Sequence, residues 1–271
     1  MRTISAGIPI FLLLIMPAAN LSAALYIDDT STVIKRHINL GLSLDYYKDI
    51  TKELDPDTEE YNRTVSKEIA LKSRLSYGLT DNWEAGITFP YKSLDDTSTG
   101  KEEGTSDIII DTKYRLWEEK KVLPSFALYF DFKTDSGNDD KNLGTGKENY
   151  SVNSIVTKTL GSNLLDLNLG YTFVGGDTDN ILFCACDWER ILSKCVSLCN
   201  EIYAETTLKG GFDKNIFLYA VSLSYQLNKM LCLDSGVGIG ISKASPDLQV
   251  STTFTFEIIA SHHNKTKSPI Y

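Results

Sequence analysis

The stretch IALKSRLSYGLTDNWEAGITFPY, Ile69 to Tyr91, decides how the rest of the chain is read. In its first half Ile69, Leu71, Leu75 and Tyr77 alternate with Ala70, Lys72, Arg74, Ser76 and Gly78; in its second half Trp83, Ala85, Ile87 and Phe89 alternate with Glu84, Gly86 and Thr88. Successive side chains on a strand point to opposite faces, so each half is a strand with one apolar, aromatic face and one small or charged face. Thr80-Asp81-Asn82 between them carries the Asx chemistry of a tight reversal. The same pattern suits a soluble sandwich with its apolar face inward and a membrane barrel with its apolar face outward.

Composition narrows the choice. The 271 residues are 42% hydrophobic and 10% aromatic, with mean hydropathy −0.15, too polar for a helical membrane protein. Residues 1–24 read as a secretory signal, with Arg2 as a basic start, an apolar run from Ile8 to Met16, and Ser22-Ala23-Ala24 as a small-residue cleavage site. The apolar run is too short to span a bilayer, and no other segment has the roughly 20 apolar residues a spanning helix needs. The net charge is −9, and loss of Arg2 would take the 27 basic side chains to 26 against 36 acidic ones, which argues against a nucleic-acid partner.

Read in order, residues 25–36 form a periplasmic lead-in and residues 37–258 a series of about twelve strands of roughly nine to eleven residues, the length a tilted strand needs to cross a bilayer. The expected loops alternate long and short: Lys48 to Ser66, Lys92 to Gly104 and Asp135 to Glu148 are long and polar, whereas Thr80 to Asn82, the Gly-Ser-Asn turn after Leu160 and Asn228-Lys229 are short. That alternation is the signature of an up-and-down antiparallel transmembrane β-barrel with long outer loops, short periplasmic turns and both ends in the periplasm. Tyr46, Tyr77, Trp83, Tyr91, Tyr114 and Trp117 fall where interface girdles belong. Residues 188–203 fit helical spacing and also two strands; the cost of an unpaired edge in lipid favours strands. Residues 259–271 form a polar tail.

The phrases YGLTDNWEAGITFPY (Tyr77 to Tyr91), GTSDIIIDTKYRL (Gly104 to Leu116), LGTG (Leu143 to Gly146), LNLGYTF (Leu167 to Phe173) and SPDLQVSTTFTF (Ser245 to Phe256) resemble a family of outer-membrane transporters named for the MetA-pathway of phenol degradation. The resemblance covers most of Ile69 to Phe256. It implies an outer-membrane barrel and a channel for small hydrophobic or aromatic compounds. The segment Cys184 to Cys199 and the tail depart from the family pattern, and Phe256 takes the place of the closing aromatic.

Candidate chemistry is sparse. His37 begins the first strand, and His262 and His263 lie in the tail, so no histidine is expected near the outer loops where barrel hydrolases work; no enzyme activity and no cofactor are expected. Cys184, Cys186, Cys195, Cys199 and Cys232 read as small apolar filler before disulfides, and their spacing matches no zinc knuckle. Asp135, Asn138, Asp139 and Asp140 offer oxygens to Ca²⁺ but lack the EF-hand spacing, and a solvated acidic loop is the simpler reading. The turns set Gly78 opposite Glu84, Arg115 opposite Ala127, Lys113 opposite Tyr129 and Asp111 opposite Asp131. Arg74, Glu84, Lys113, Arg115 and Asp131 are therefore expected to meet in the lower lumen, either as a charge-selective constriction or as an ion-pair network that fills it. The expected partners are outer-membrane lipid and a small solute. The competing reading is a closed structural or adhesion barrel.

Overall fold

The computed structural model describes residues 25–54, 61–97, 100–176, 179–209 and 215–259. The expected signal, the tail beyond 259, His262 and His263 lie outside them. Thirteen strands follow in chain order: β1 His37–Leu54, β2 Tyr61–Thr80, β3 Trp83–Asp96, β4 Gly100–Thr105, β5 Ile109–Trp117, β6 Ser125–Lys133, β7 Asn149–Leu160, β8 Asn163–Val174, β9 Ile181–Ile191, β10 Val196–Thr207, β11 Ile216–Asn228, β12 Leu231–Gly240 and β13 Leu248–Ile259. Neighbouring strands pair antiparallel, and β13 returns to β1 from His37↔Ile259 to Lys48↔Leu248, which closes the sheet.

β4 is the extra strand. It pairs with the far half of β3 (Tyr91↔Thr105), whereas β5 pairs with the near half (Trp83↔Tyr114), so β4 and β5 are one stave of the wall interrupted at residues 106–108. The barrel therefore has 12 staves. At a strand spacing of about 4.8 Å and a tilt of about 40° such a wall has a backbone radius of about 12 Å.

The side-chain alternation is inverted relative to a soluble protein. Leu42, Leu44, Ile69, Leu71, Leu75, Phe89, Leu167, Leu169, Leu223 and Val237 are exposed on the outside, whereas Asp45, Ser76, Glu84, Asp111, Lys113, Asp166, Asn168, Asp187, Glu201 and Ser222 are buried inside. Aromatic pairs mark the two rims. Trp83 meets Tyr114 edge-on at 6.5 Å and Trp117 stacks on Phe126 at 4.9 Å near the short turns, and Phe132 stacks on Tyr150 at 4.9 Å near the long loops.

Two expectations change, both about loops. Most of the loop expected at Lys48 to Ser66 is ladder, since β1 and β2 stay paired from Lys48↔Lys67 to Leu54↔Tyr61; only residues 55–60, outside the described set, lie between them. Likewise β3 runs to Asp96 and β4 occupies much of the expected loop at Lys92 to Gly104. Charge ends the lipid-facing pattern, but it does not end a hairpin's backbone ladder, and Ile50, Thr64 and Val65 are residue types that favour strand. The two-strand reading of residues 188–203 holds, with a turn at 192–195 between β9 and β10 and with Leu182, Cys184, Cys186 and Trp188 facing outward on β9. All five cysteines are free; buried Cys199 donates to Asp187 Oδ2 at 3.3 Å.

The loop at 134–148 folds onto one carboxylate. Asp107, between β4 and β5, accepts from Gly137 N (2.9 Å), Thr145 N (2.9 Å) and Lys133 Nζ (2.8 Å). Burial opposes its charge, but these donors hold its carboxyl below the usual carboxylate range. Asn138 and Asp139, weighed above as calcium ligands, accept from the loop's own backbone at Lys141 N and Asp140 N.

Candidate functional site

Residues 25–36, expected as a periplasmic lead-in, run inside the barrel. Ile27, Asp29, Thr30, Thr32 and Val33 are all buried there. The segment starts at mid-height on β10, where Leu25 N and Tyr26 N donate to the two oxygens of Glu201 at 2.8 and 2.7 Å. It then passes β8, where Asn168 Nδ2 donates to Asp28 O at 2.8 Å, and β7, where Thr30 N donates to Thr157 Oγ1 at 3.0 Å. Near the short turns Val33 N donates to Glu84 Oε2 at 2.6 Å and Thr32 Oγ1 to Asp81 O at 2.8 Å. The segment leaves against Gly78, and a Cβ there would lie 2.2 Å from Ile34 O; only glycine admits the approach. We call residues 25–36 the strap. Side chains on the wall reach about 5 to 6 Å inward from a backbone radius of about 12 Å, so an extended chain takes up most of what is left.

The five residues expected at a constriction do not form one cluster. Arg74 and Glu84 belong together: Arg74 Nη2 lies 2.5 Å from Asp111 Oδ1 and 3.3 Å from Glu84 Oε1. Lys113 turns to the strap and donates to both oxygens of Asp28 at 2.9 Å and to Asp29 O at 3.3 Å. Arg115 sits at the turn-end rim, donating to Asp81 O at 2.8 Å and Glu118 Oε1 at 3.2 Å. Asp131 stands higher, between Asp111 and Ser151 in the ladder. The expected register holds at every pair used to place them: Gly78↔Glu84, Arg115↔Ala127, Lys113↔Tyr129 and Asp111↔Asp131.

Above the strap lies a cavity of about 510 Å³. Tyr26 and Asp28 of the strap form part of its floor, and Lys72, Arg74, Tyr129, Asp131, Asn153 and Phe183 part of its wall. Phe183 stacks on Tyr203, with ring centres 5.8 Å apart, and Tyr203 packs on Tyr26 at 5.5 Å, so an aromatic ladder joins wall to strap. Among the described residues, Tyr26 Oη and Asn153 Oδ1 are buried with no hydrogen-bond partner. Sequence reasoning placed Asp111 on the inner face but missed its pairing with Arg74, and it missed the strap and this aromatic set. The available signal was in residues 25–36 themselves, where Tyr26, Ile27, Val33 and Ile34 are more apolar than a solvated lead-in needs to be.

A closed antiparallel barrel with a lipid-type exterior, a charged interior and a lumen-filling segment defines a β-barrel of the outer-membrane type. The chain belongs to the family described as "Putative MetA-pathway of phenol degradation", whose model matches residues 76–258. Its fold is similar to an outer membrane channel from Pseudomonas putida F1, at TM-score 0.71 and 12% identity, over 87% of this chain and 100% of that one. It is also similar to the translocator domain of the autotransporter NalP from Neisseria meningitidis, at TM-score 0.51 and 10% identity, over 81% and 87% of the two chains. No curated protein sequence matches it.

Proposed function

We propose that the protein is an outer-membrane channel for small compounds, single-ring aromatics among them, and that the strap sets how far its lumen is open. The observation that carries this is the cavity of about 510 Å³, which sets aromatic rings (Tyr26, Tyr129, Phe183) beside charged and amide side chains (Asp28, Lys72, Arg74, Asp131, Asn153). Pockets for small ligands have volumes of roughly 300 to 1,000 Å³, and here aromatic rings and polar groups share the wall about equally. Family membership agrees with it. In this reading Arg74, Glu84 and Lys113 line the narrow part, and Arg115 and Asp131 mark its two ends. The long loops face the cell exterior, the short turns face the periplasm, and residues 1–24 are removed on export.

The filled lumen favours a second reading, a closed structural barrel. The two separate in planar bilayers and in liposomes loaded with phenol or benzoate as probes. A channel conducts, admits a probe, and gains conductance when residues 25–33 are deleted. A wild type and a deletion variant that are both silent, and both closed to every probe, would leave the structural barrel.

A further inference from the structure

Glu201 is 1% exposed, and it spends both carboxylate oxygens on consecutive backbone nitrogens, Oε2 on Leu25 N and Oε1 on Tyr26 N. Leu25 is also the residue that follows Ser22-Ala23-Ala24, the small-residue cleavage site. We propose that Leu25 is the first residue of the mature chain, and that the group Glu201 holds is its α-ammonium rather than a peptide N–H. Glu201 is then a built receptor inside the lumen for the N-terminus that export creates. The inference does not depend on the solute the barrel carries.

Charge on the surrounding wall supports it. In the ladder Asp166 stands opposite Asp187 and Asp187 opposite Glu201, so three buried carboxylates form one row across β8, β9 and β10. The lumen's cations are engaged elsewhere: Lys72 with Asp45, Arg74 with Asp111 and Glu84, Lys113 with Asp28. A buried carboxylate is costly unless it is paired, and an ordinary peptide N–H supplies no charge to pair with. An ammonium supplies a full positive charge and three donors at the same nitrogen, and charge-assisted bonds are roughly twice as strong as neutral ones.

The chemistry that makes the group is simple. Hydrolysis of the Ala24–Leu25 peptide bond by the export peptidase consumes one water, leaves a carboxylate on Ala24 and frees an amine on Leu25 that takes up a proton. Cleavage therefore creates the anchor of the strap, and an uncleaved chain offers Glu201 only amides. Seating of the strap and removal of the signal are coupled at this one carboxylate.

The test uses the full-length chain, exported and purified from membranes. Intact mass should give a chain beginning at Leu25. The α-amine should then react with a small acylating reagent about ten- to a hundredfold more slowly in the folded protein than in urea, the factor expected for one charge-assisted hydrogen bond. Glu201→Gln should remove most of that protection while the band still migrates as a folded barrel without boiling. Insertion of Gly-Ser between Ala24 and Leu25 moves the amine away and should also expose it, which decides the matter if Glu201→Gln does not fold. A different first residue, equal labelling of folded and unfolded wild type, or protection that survives both changes would overturn the proposal.

Discussion

Replacing Lys113 with Met tests whether the strap is a removable part of the lumen or a fixed part of its core. Lys113 is 5% exposed and holds the strap through three contacts, to both oxygens of Asp28 and to Asp29 O. Methionine keeps the straight, apolar stem and removes the ammonium. A bond to a charged group contributes about 1.5 to 3 kcal/mol net, and the Asp28 side chain is 42% exposed and keeps much of its hydration, so the loss is about 2 kcal/mol rather than the full cost of breaking a buried pair. That energy bears on the seated strap and not on the ladder, because Lys113 keeps its backbone pairing to Glu84 and Tyr129. The unseated population should rise about 30-fold. In single-channel recordings, Lys113→Met should show more frequent open events at an unchanged unit conductance, with the temperature of barrel unfolding nearly constant. If its recordings match wild type while deletion of residues 25–33 opens the barrel, the pair between Lys113 and Asp28 does not hold the strap, and that reasoning fails.

A Cβ on Gly170 would lie 2.0 Å from Phe183 Cε1, so Gly170→Val must push the ring off its stack with Tyr203; a loss of about 1 to 3 kcal/mol should appear as a lower temperature for the gel shift, and an unchanged shift would refute the contact. Asp107→Ala should free the loop at 134–148 to proteases without affecting the ladder, at a cost of about 1.5 to 3 kcal/mol. The same loop should loosen in acid. The Asp107 carboxyl lies lower in the folded than in the unfolded chain, so its contribution is complete above the ordinary value of about 3.9 and is lost as pH falls through the folded value; limited proteolysis against pH reads this, and cleavage that does not rise in acid would count against it. In chains whose native cysteines are replaced, Lys141→Cys should take up an impermeant thiol reagent on intact cells and Lys121→Cys only after the outer membrane is broken, and the reverse result would invert the topology.

The wall of the barrel was legible in the sequence because a strand has a period of two and a short turn leaves no freedom. Once Thr80 to Asn82 and the turn before Ser125 are placed, the inward face of four strands follows, and so do the pairs Gly78↔Glu84, Lys113↔Tyr129 and Asp111↔Asp131. The far ends of the strands were not legible, because beyond the bilayer a hairpin keeps its hydrogen bonds with any side chains, and the pattern that marks lipid disappears while the ladder continues.

Which charges meet inside is a different kind of question. Register places Lys113 on the inner face, but its partner Asp28 lies 85 residues away on a segment that belongs to no strand, and Glu201 reaches its partner at Leu25 across 176. Nothing in a period of two describes such a segment. Its presence follows from size: a wall of 12 staves encloses more space than its own small and charged side chains fill, whereas about eight staves leave room for side chains alone. The space admits one extended chain. Residues 25–36 lie directly before β1, so they reach that space from the turn end without crossing the wall, and the carboxylates that line it offer acceptors for a backbone that arrives with free N–H groups. The acidic interior and the strap therefore have one cause, since an extended segment inside a barrel has no ladder of its own and must take its hydrogen bonds from the wall.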